Sequence, residues 1–358
     1  MRGAMGEGID AAELAGGFRE VLSREWPIEK AKRHAEREQV IDEALWETLA
    51  ALGWLGLSIP EAFGGLGLGA DGLGLLYREL GACLAPAPVL PTLLAAELVM
   101  RAGAPEQHSR WLPAFASGAA RGAVCWGPGA QAAWAGGGLR LNGRVADLLD
   151  GGAATILFAP VALDGARRWV AVPAGRAELK TIRTIDPSRT LATIEFADVD
   201  LPGDCLLGDG EAFGVEDALQ AHAARAIAAD SIGGGEAILE ATVDYLKIRR
   251  QFGRPIGSFQ ALKHRAAEHK AALMVAGAFV DEAAEGADGE TALLAALSAK
   301  AHASTVYAEV ARDAIQLHGG IGYTFEYFAH LYLRRAKMNQ ALFGTVAQTL
   351  DRVADLLV

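Results

Sequence analysis

The feature that most restricts this chain is a change of hydrophobic period in its middle third. From Ala11 to about Gly118, apolar positions such as Trp46, Leu49, Leu52 and Leu55 recur at three- and four-residue steps, the signature of helices with one buried face. Pro60 and the run Gly64, Gly65, Gly67, Gly69 interrupt that pattern, and a further helix is expected near Asp71, which suits an N-cap. Between Ala119 and about Gly210 the pattern becomes short runs of β character: Ala123 to Trp126, Leu139 to Leu141, Thr155 to Val161, Trp169 to Val172 and Thr193 to Phe196. Asn142-Gly143 and Asp164-Gly165 are expected to be hairpin turns between such runs. After Gly210 the helical period returns, broken at Gly253 to Gly257, Gly286 to Gly289 and Gly319 to Tyr323. The expected architecture is α+β and mostly α: a helical domain over 1–118, an antiparallel β-domain over 119–210 and a helical bundle over 211–358.

Composition narrows the function classes. With 358 residues and 51% hydrophobic content the chain can bury sizeable cores, which excludes a disordered segment. A net charge of −11, spread along the chain, argues against nucleic-acid and anionic-membrane partners. Cys83, Cys125 and Cys205 are odd in number and far apart, pointing to reduced thiols in a cytoplasm and offering no metal site. Met1 to Gly16 has no apolar core of a signal peptide, and Leu90 to Met100 is too short to span a bilayer, so a cytoplasmic protein without membrane segments is expected.

Two segments carry recognisable chemistry: Tyr245-Leu-Lys-Ile-Arg-Arg-Gln-Phe-Gly-Arg-Pro-Ile-Gly-Ser-Phe-Gln260 and Gln316-Leu-His-Gly-Gly-Ile-Gly-Tyr323. Arg249, at a helix end, can clamp a diphosphate bidentately, and Phe252 offers a ring face to a purine. Gly319 and Gly320 let backbone amides approach a ligand closely. Taken singly, the solvated arginine and the helix-breaking glycine pair are the stronger readings; together and in this order, the segments favour a binding role. His318 is read as packing and given no role.

With Pro60-Glu-Ala-Phe-Gly-Gly-Leu-Gly-Leu68, these segments resemble the acyl-CoA dehydrogenase family in order and spacing over nearly the whole chain. The resemblance implies an N-terminal helical domain, a middle β-barrel and a C-terminal four-helix bundle. It also implies FAD as cofactor, with Arg249, Phe252, Gln260, Gln316, Gly319, Gly320 and Thr345 as its contacts. In the family the two segments hold the adenosine diphosphate part of an FAD bound mainly by a neighbouring subunit. An oligomer is therefore implied, formed with a homologous catalytic chain or with copies of this one.

The family's catalytic glutamate, which takes a proton from the carbon next to the thioester, stands in one of two places. Here the first reads Phe343, in Ala341-Leu-Phe-Gly-Thr345. The second, counted without gaps between Phe213 and Gly233, reads Ala223, with Ala224 replacing the usual arginine beside it. His222 is expected to be partly exposed. On the flavin-ring side, Cys125-Trp-Gly-Pro-Gly-Ala-Gln131 keeps only the proline of the family's pattern, and Ala146 and Leu148 replace a stacking ring and a hydroxyl.

Loss on the ring side with retention on the adenine side matches one member of an unequal pair. The resemblance is to the shorter bacterial acyl-CoA dehydrogenases built from two different chains, often acting on steroid or other bulky acyl-CoA side chains. It implies α,β-desaturation of an acyl-CoA with electrons passed to an electron-transferring flavoprotein. Two alternatives stay open: a self-sufficient flavoenzyme using Glu216, Asp230 or Glu326 as base, and a redox-inactive scaffold.

Overall fold

The computed structural model describes residues 10–37, 41–208, 214–284 and 289–358. The chain opens with helices α1 (Ala11–Glu25), α2 (Ile28–Ala35) and α3 (Glu43–Ala51), followed by α4 (Gly69–Ala82), α5 (Val89–Ala102) and α6 (Pro105–Ala116). Seven strands follow: β1 (Gly122–Val124), β2 (Ala130–Ala135), β3 (Gly138–Leu149), β4 (Ile156–Leu163), β5 (Ala166–Pro173), β6 (Glu178–Arg183) and β7 (Thr190–Pro202). Next come α7 (Val215–Ile248), a hairpin of β8 (Arg250–Gln251) and β9 (Arg254–Pro255), α8 (Gln260–Ala284), α9 (Gly289–His318), α10 (Ala329–Ala341) and α11 (Val346–Leu356). The helix expected near Asp71 begins at Gly69, with Asp71 in its first turn. The expected boundary at Gly210 and most of the break at Gly286 to Gly289 lie outside the described residues.

Two compact units are formed: one from 1–38, 70–85 and 220–358, the other from 39–69 and 86–219.

The second unit is built on the seven-stranded sheet. β3 pairs β2 and β7 antiparallel, β7 pairs β6, and β4 pairs β5 antiparallel along one edge while β1 and β2 lie parallel along its other. The expected antiparallel barrel is therefore a mixed, open half-barrel. The β2–β3 hairpin intervenes between β1 and β4, so β4 returns alongside β1 in the same direction, as a crossover requires. Curvature comes from irregularities on β3, where the register with β7 shifts between Leu141 and Gly143 and again between Val145 and Leu148. Leu139, Leu141, Val145 and Leu148 turn inward onto Leu157, Val161, Val170 and Ile194.

Asp164-Gly165 is the β4–β5 turn, both residues having positive φ, as the tight hairpin demands. Asn142-Gly143 is not a turn. That role falls to Gly136-Gly137, and Asn142 instead lies at a bulge, where its amide donates to Asp198 Oδ1 at 3.0 Å.

In the helical unit, the Gly233-Gly234-Gly235 run of α7 costs roughly 3 kcal/mol in helix propensity against alanine. Packing requires it: a Cβ on Gly233 would stand 1.8 Å from the Arg78 carbonyl oxygen, and one on Gly81 would stand 2.2 Å from that of Asp230. The α4 and α7 backbones touch there. Around the crossing Arg78 pairs with Glu236 at 2.5 Å, and Arg335 of α10 donates to Asp230 at 2.7 Å. Asn339 bridges Asp230 and Ser231, so the buried carboxylate is held on both oxygens. Ala221 and Ala224 of α7 pack with Leu293, Ala296 and Leu297 of α9 against Val353 and Leu356 of α11.

Candidate functional site at the hairpin and the glycine turn

Helix α7 ends where the Arg249 amide donates its last helical bond to the Tyr245 carbonyl at 2.9 Å. The chain then reverses in the β8–β9 hairpin, whose tip is Phe252-Gly253 with both φ values positive, and the Ile256 amide closes onto the Arg249 carbonyl at 2.8 Å. A phenylalanine held left-handed costs about 1–2 kcal/mol. This one is also 91% exposed, its ring resting edge-on against Phe259 at 6.1 Å. The Arg254 guanidinium lies 4.1 Å from the Phe259 ring centre, and exposed Gln260 opens α8 beside it. Arg249 is exposed, and its side chain has no hydrogen bond or ion pair among the described residues. Strain and exposure combined in this way mark a surface built to meet something.

The second segment lies at the end of α9. Gly319 takes a positive φ, neither Gly319 nor Gly320 has a neighbour where a side chain would stand, and both are exposed. The Tyr323 hydroxyl donates to Gln316 Oε1 at 2.9 Å, and the Gln316 NH2 on this exposed side chain has no hydrogen bond among the described residues. What joins the two segments is a ring contact: Tyr245 on α7 and His318 on α9 lie tilted against each other, 4.6 Å between centroids. Arg249 follows Tyr245 by one turn and Gly319 follows His318 directly. Arg249, Phe252, Gln260, Gln316, Gly319 and Gly320 thus belong to neighbouring exposed segments. Thr345 instead caps α11, its hydroxyl and amide both engaged with Gln348.

This surface fits the adenosine diphosphate part of FAD: an exposed guanidinium for a diphosphate, an exposed ring for a purine, and glycine backbone with no side chain above it. The ring-side positions do not fit the remainder. Ala146 is exposed within the β3 irregularity with no ring to stack, and Leu148 is fully buried in the sheet core. The Gly127 carbonyl accepts from Arg167 at 2.8 Å, and that same guanidinium pairs with Glu216.

The base positions are equally plain. Ala223 is fully buried. Phe343 is half-buried with positive φ, in a turn fastened by Lys300, whose ammonium donates to the Gly344 carbonyl at 2.5 Å and to Thr349 at 3.2 Å. Burial pushes the Lys300 pKa down to about 8. Of the alternative carboxylates, Glu216 is held by Arg167, Asp230 by Arg335 and Asn339, and Glu326 is exposed, with its own carbonyl accepting from Lys32.

His222, expected to be partly exposed, is buried and shares a 2.8 Å hydrogen bond with the Tyr77 hydroxyl. The expectation treated α7 as having one buried face, whereas other helices cover it on several sides. The sequence reading also missed Tyr245 and Tyr323 as supports. The available signal was their position, one flanking each exposed segment.

Profiles of the acyl-CoA dehydrogenase N-terminal and C-terminal domains match residues 10–119 and 217–357. The chain is 34% identical over 313 residues to the acyl-CoA dehydrogenase IpdE2 of Mycobacterium tuberculosis, covering 87% of this chain and 86% of that protein. Among solved structures, the ChsE4-ChsE5 complex from Mycobacterium tuberculosis superposes with a TM-score of 0.90 at 26% identity, covering 99% of both chains. The steroid ACAD Tcur3481-Tcur3483 gives 0.86 at 30% identity over 97% of both. No helix among the described residues is long and apolar enough to cross a membrane. The chain belongs to the acyl-CoA dehydrogenase family of FAD-dependent oxidoreductases.

Proposed function

We propose that this chain is the non-catalytic subunit of a heteromeric acyl-CoA dehydrogenase, supplying half of an FAD site to a homologous catalytic partner. The observation that carries this reading is the pairing of an exposed adenine-side surface with Phe343 and Ala223 at the base positions. In the complex, FAD supplies the electron acceptor for α,β-desaturation of the acyl-CoA thioester. This chain's part is binding. Arg249 neutralises the diphosphate, Phe252 stacks on the adenine, Gln316 donates its amide, and the Gly319 and Gly320 backbone closes on the ligand.

An exposed apolar stripe on α8, with Met274, Val275 and Phe279 among small Ala267, Ala271 and Ala278, supports an oligomer. That ChsE4-ChsE5 and Tcur3481-Tcur3483 are named as pairs of chains supports an unequal one. The steroid designation of the latter supports a bulky acyl-CoA as substrate. Electrons would leave to an electron-transferring flavoprotein. A cytoplasmic location accords with the free thiols of Cys83, Cys125 and Cys205.

Co-expression with a homologous dehydrogenase chain, followed by flavin quantitation, tests the reading. The expected result is flavin in the complex, little in this chain alone, and loss from the complex on Arg249→Ala. Stoichiometric flavin in the isolated chain, bleached by an acyl-CoA, would overturn it. An Arg249→Ala complex that keeps all its flavin would favour the scaffold alternative.

A further inference from the structure

His318 is 1% exposed, and both of its ring nitrogens have partners. Its Nδ1 lies 2.7 Å from the Ala314 carbonyl oxygen, which can only accept, so Nδ1 carries the proton. Nε2 is then an acceptor and takes the Tyr327 hydroxyl proton at 2.8 Å. The rings of Tyr245 and Tyr327 lie tilted against the imidazole, at 4.6 Å and 4.4 Å between centroids. Tyr327 in turn stacks on Phe328 at 4.3 Å, at the entrance to α10. One neutral imidazole thus ties the end of α7, the end of α9 and the start of α10. Its backbone is the residue from which the left-handed Gly319 departs.

We propose that His318 is a positioning residue, a neutral imidazole in contact with both Tyr245 and Tyr327 that holds the Arg249 hairpin and the Gly319-Gly320 turn as one ligand-facing surface. The inference rests on the proposed FAD contact for its function, and on these contacts alone for its mechanics. A leucine would fill the volume but could neither bond the Tyr327 hydroxyl nor offer a ring to Tyr245. The tie would loosen at both ends.

Protonation would act in the same direction. The groups facing the ring are the phenols of Tyr245 and Tyr327 and the Ala314 carbonyl; among the described residues no charged side chain joins them. Desolvation keeps the imidazole pKa below its ordinary 6.5. Once charged, Nε2 becomes a donor, and the Tyr327 hydroxyl must turn its proton away.

Two measurements decide the matter. The first is amide hydrogen exchange on the full chain without cofactor, following residues 249–256 and 316–323. His318→Leu is expected to speed exchange in both segments, and Tyr327→Phe, which removes only the hydroxyl, to do so more weakly in both. Acceleration confined to 316–323, in whichever of the two variants folds, would overturn the proposal. The second is FAD retention in the co-expressed complex. His318→Leu is expected to weaken it about tenfold, the size of one buried hydrogen bond, with partial rescue by His318→Phe. Wild-type affinity should also fall at about pH 5 relative to about pH 7.5, and that of His318→Phe should not. Arg249→Ala in the same complex separates the two ideas. If it leaves FAD in place, the FAD reading fails while the exchange data still judge His318. If it releases FAD and His318→Leu does not, the positioning role fails alone.

Discussion

The Arg249–Gly253 hairpin and the Arg144–Leu148 stretch of β3 are both places where the family pattern brings side chains to the flavin, and here they have taken opposite courses. On the hairpin, functional groups face outward at a cost: Phe252 is strained and exposed, and the Arg249 side chain has no hydrogen bond or ion pair among the described residues. On β3 the same kind of position has become ordinary protein, with Leu148 in the core and Ala146 bare. Under the proposed FAD contact, ligand binding offsets the exposure on the hairpin, whereas the β3 positions are packed as ordinary protein.

The sharpest way to break this contrast is Leu148→Ser. Burying a hydroxyl in place of a leucine in the sheet core should cost about 3–4 kcal/mol by denaturant unfolding, while flavin retention per folded complex stays unchanged. A flavin loss exceeding the loss of folded protein would return β3 to the binding surface.

Lys300 comes next. Its folded pKa, about 8, lies below the unfolded value near 10.4, so the unfolded chain binds more protons between the two. Stability from this group therefore rises with pH across that window, by up to about 3 kcal/mol. Lys300→Met should remove that rise, read as the difference between the two chains' unfolding free energies from about pH 8 to pH 10. Parallel curves would show that the ammonium beneath the Phe343 turn is not buried in solution.

Arg249→Ala is the mirror of Leu148→Ser. FAD retention should weaken roughly 30-fold, the loss of a charge-assisted contact, with stability unchanged within about 0.5 kcal/mol. Phe252→Ala should weaken retention about tenfold by removing the ring that stacks on the base, with stability unchanged within about 0.5 kcal/mol because the ring is exposed and the backbone strain is kept. The smallest effect expected is from Phe343→Glu. It restores a carboxylate at a base position, yet the chain alone should still show no acyl-CoA-dependent flavin bleaching, because the ring-side contacts remain absent. Bleaching above the wild-type background would mean that β3 is less altered than its residues suggest.

How much of this was legible beforehand depends on range. Helices α7 and α9 and strands β4, β5 and β7 follow from local period. β2, rich in alanine, and β6, largely exposed as Glu-Leu-Lys-Thr-Ile-Arg, carry no such signal and exist because β3 and β7 pair with them. Asn142-Gly143 misled because a glycine with positive φ serves a bulge as readily as a turn. The place of Arg249 at a helix end could be read from its motif. The ring contacts of His318 could not, since Tyr245 and Tyr327 come from separate parts of the chain and only the fold brings them together.

The contact of α4 with α7 bears on the order of assembly. Arg78 and its partner Glu236 are 158 residues apart in sequence. At translation speeds of about 5–20 residues per second, α4 must wait roughly 10–30 s for the glycines it packs against to be synthesised. Throughout that interval Gly81 and the buried side of α4 have no α7 to cover them. A fragment beginning at Val215 would carry the complementary defect, a groove at Gly233 with nothing to fill it. The helical unit is therefore a late-closing one, and its vulnerability to misassembly lies in the time before its last third is made.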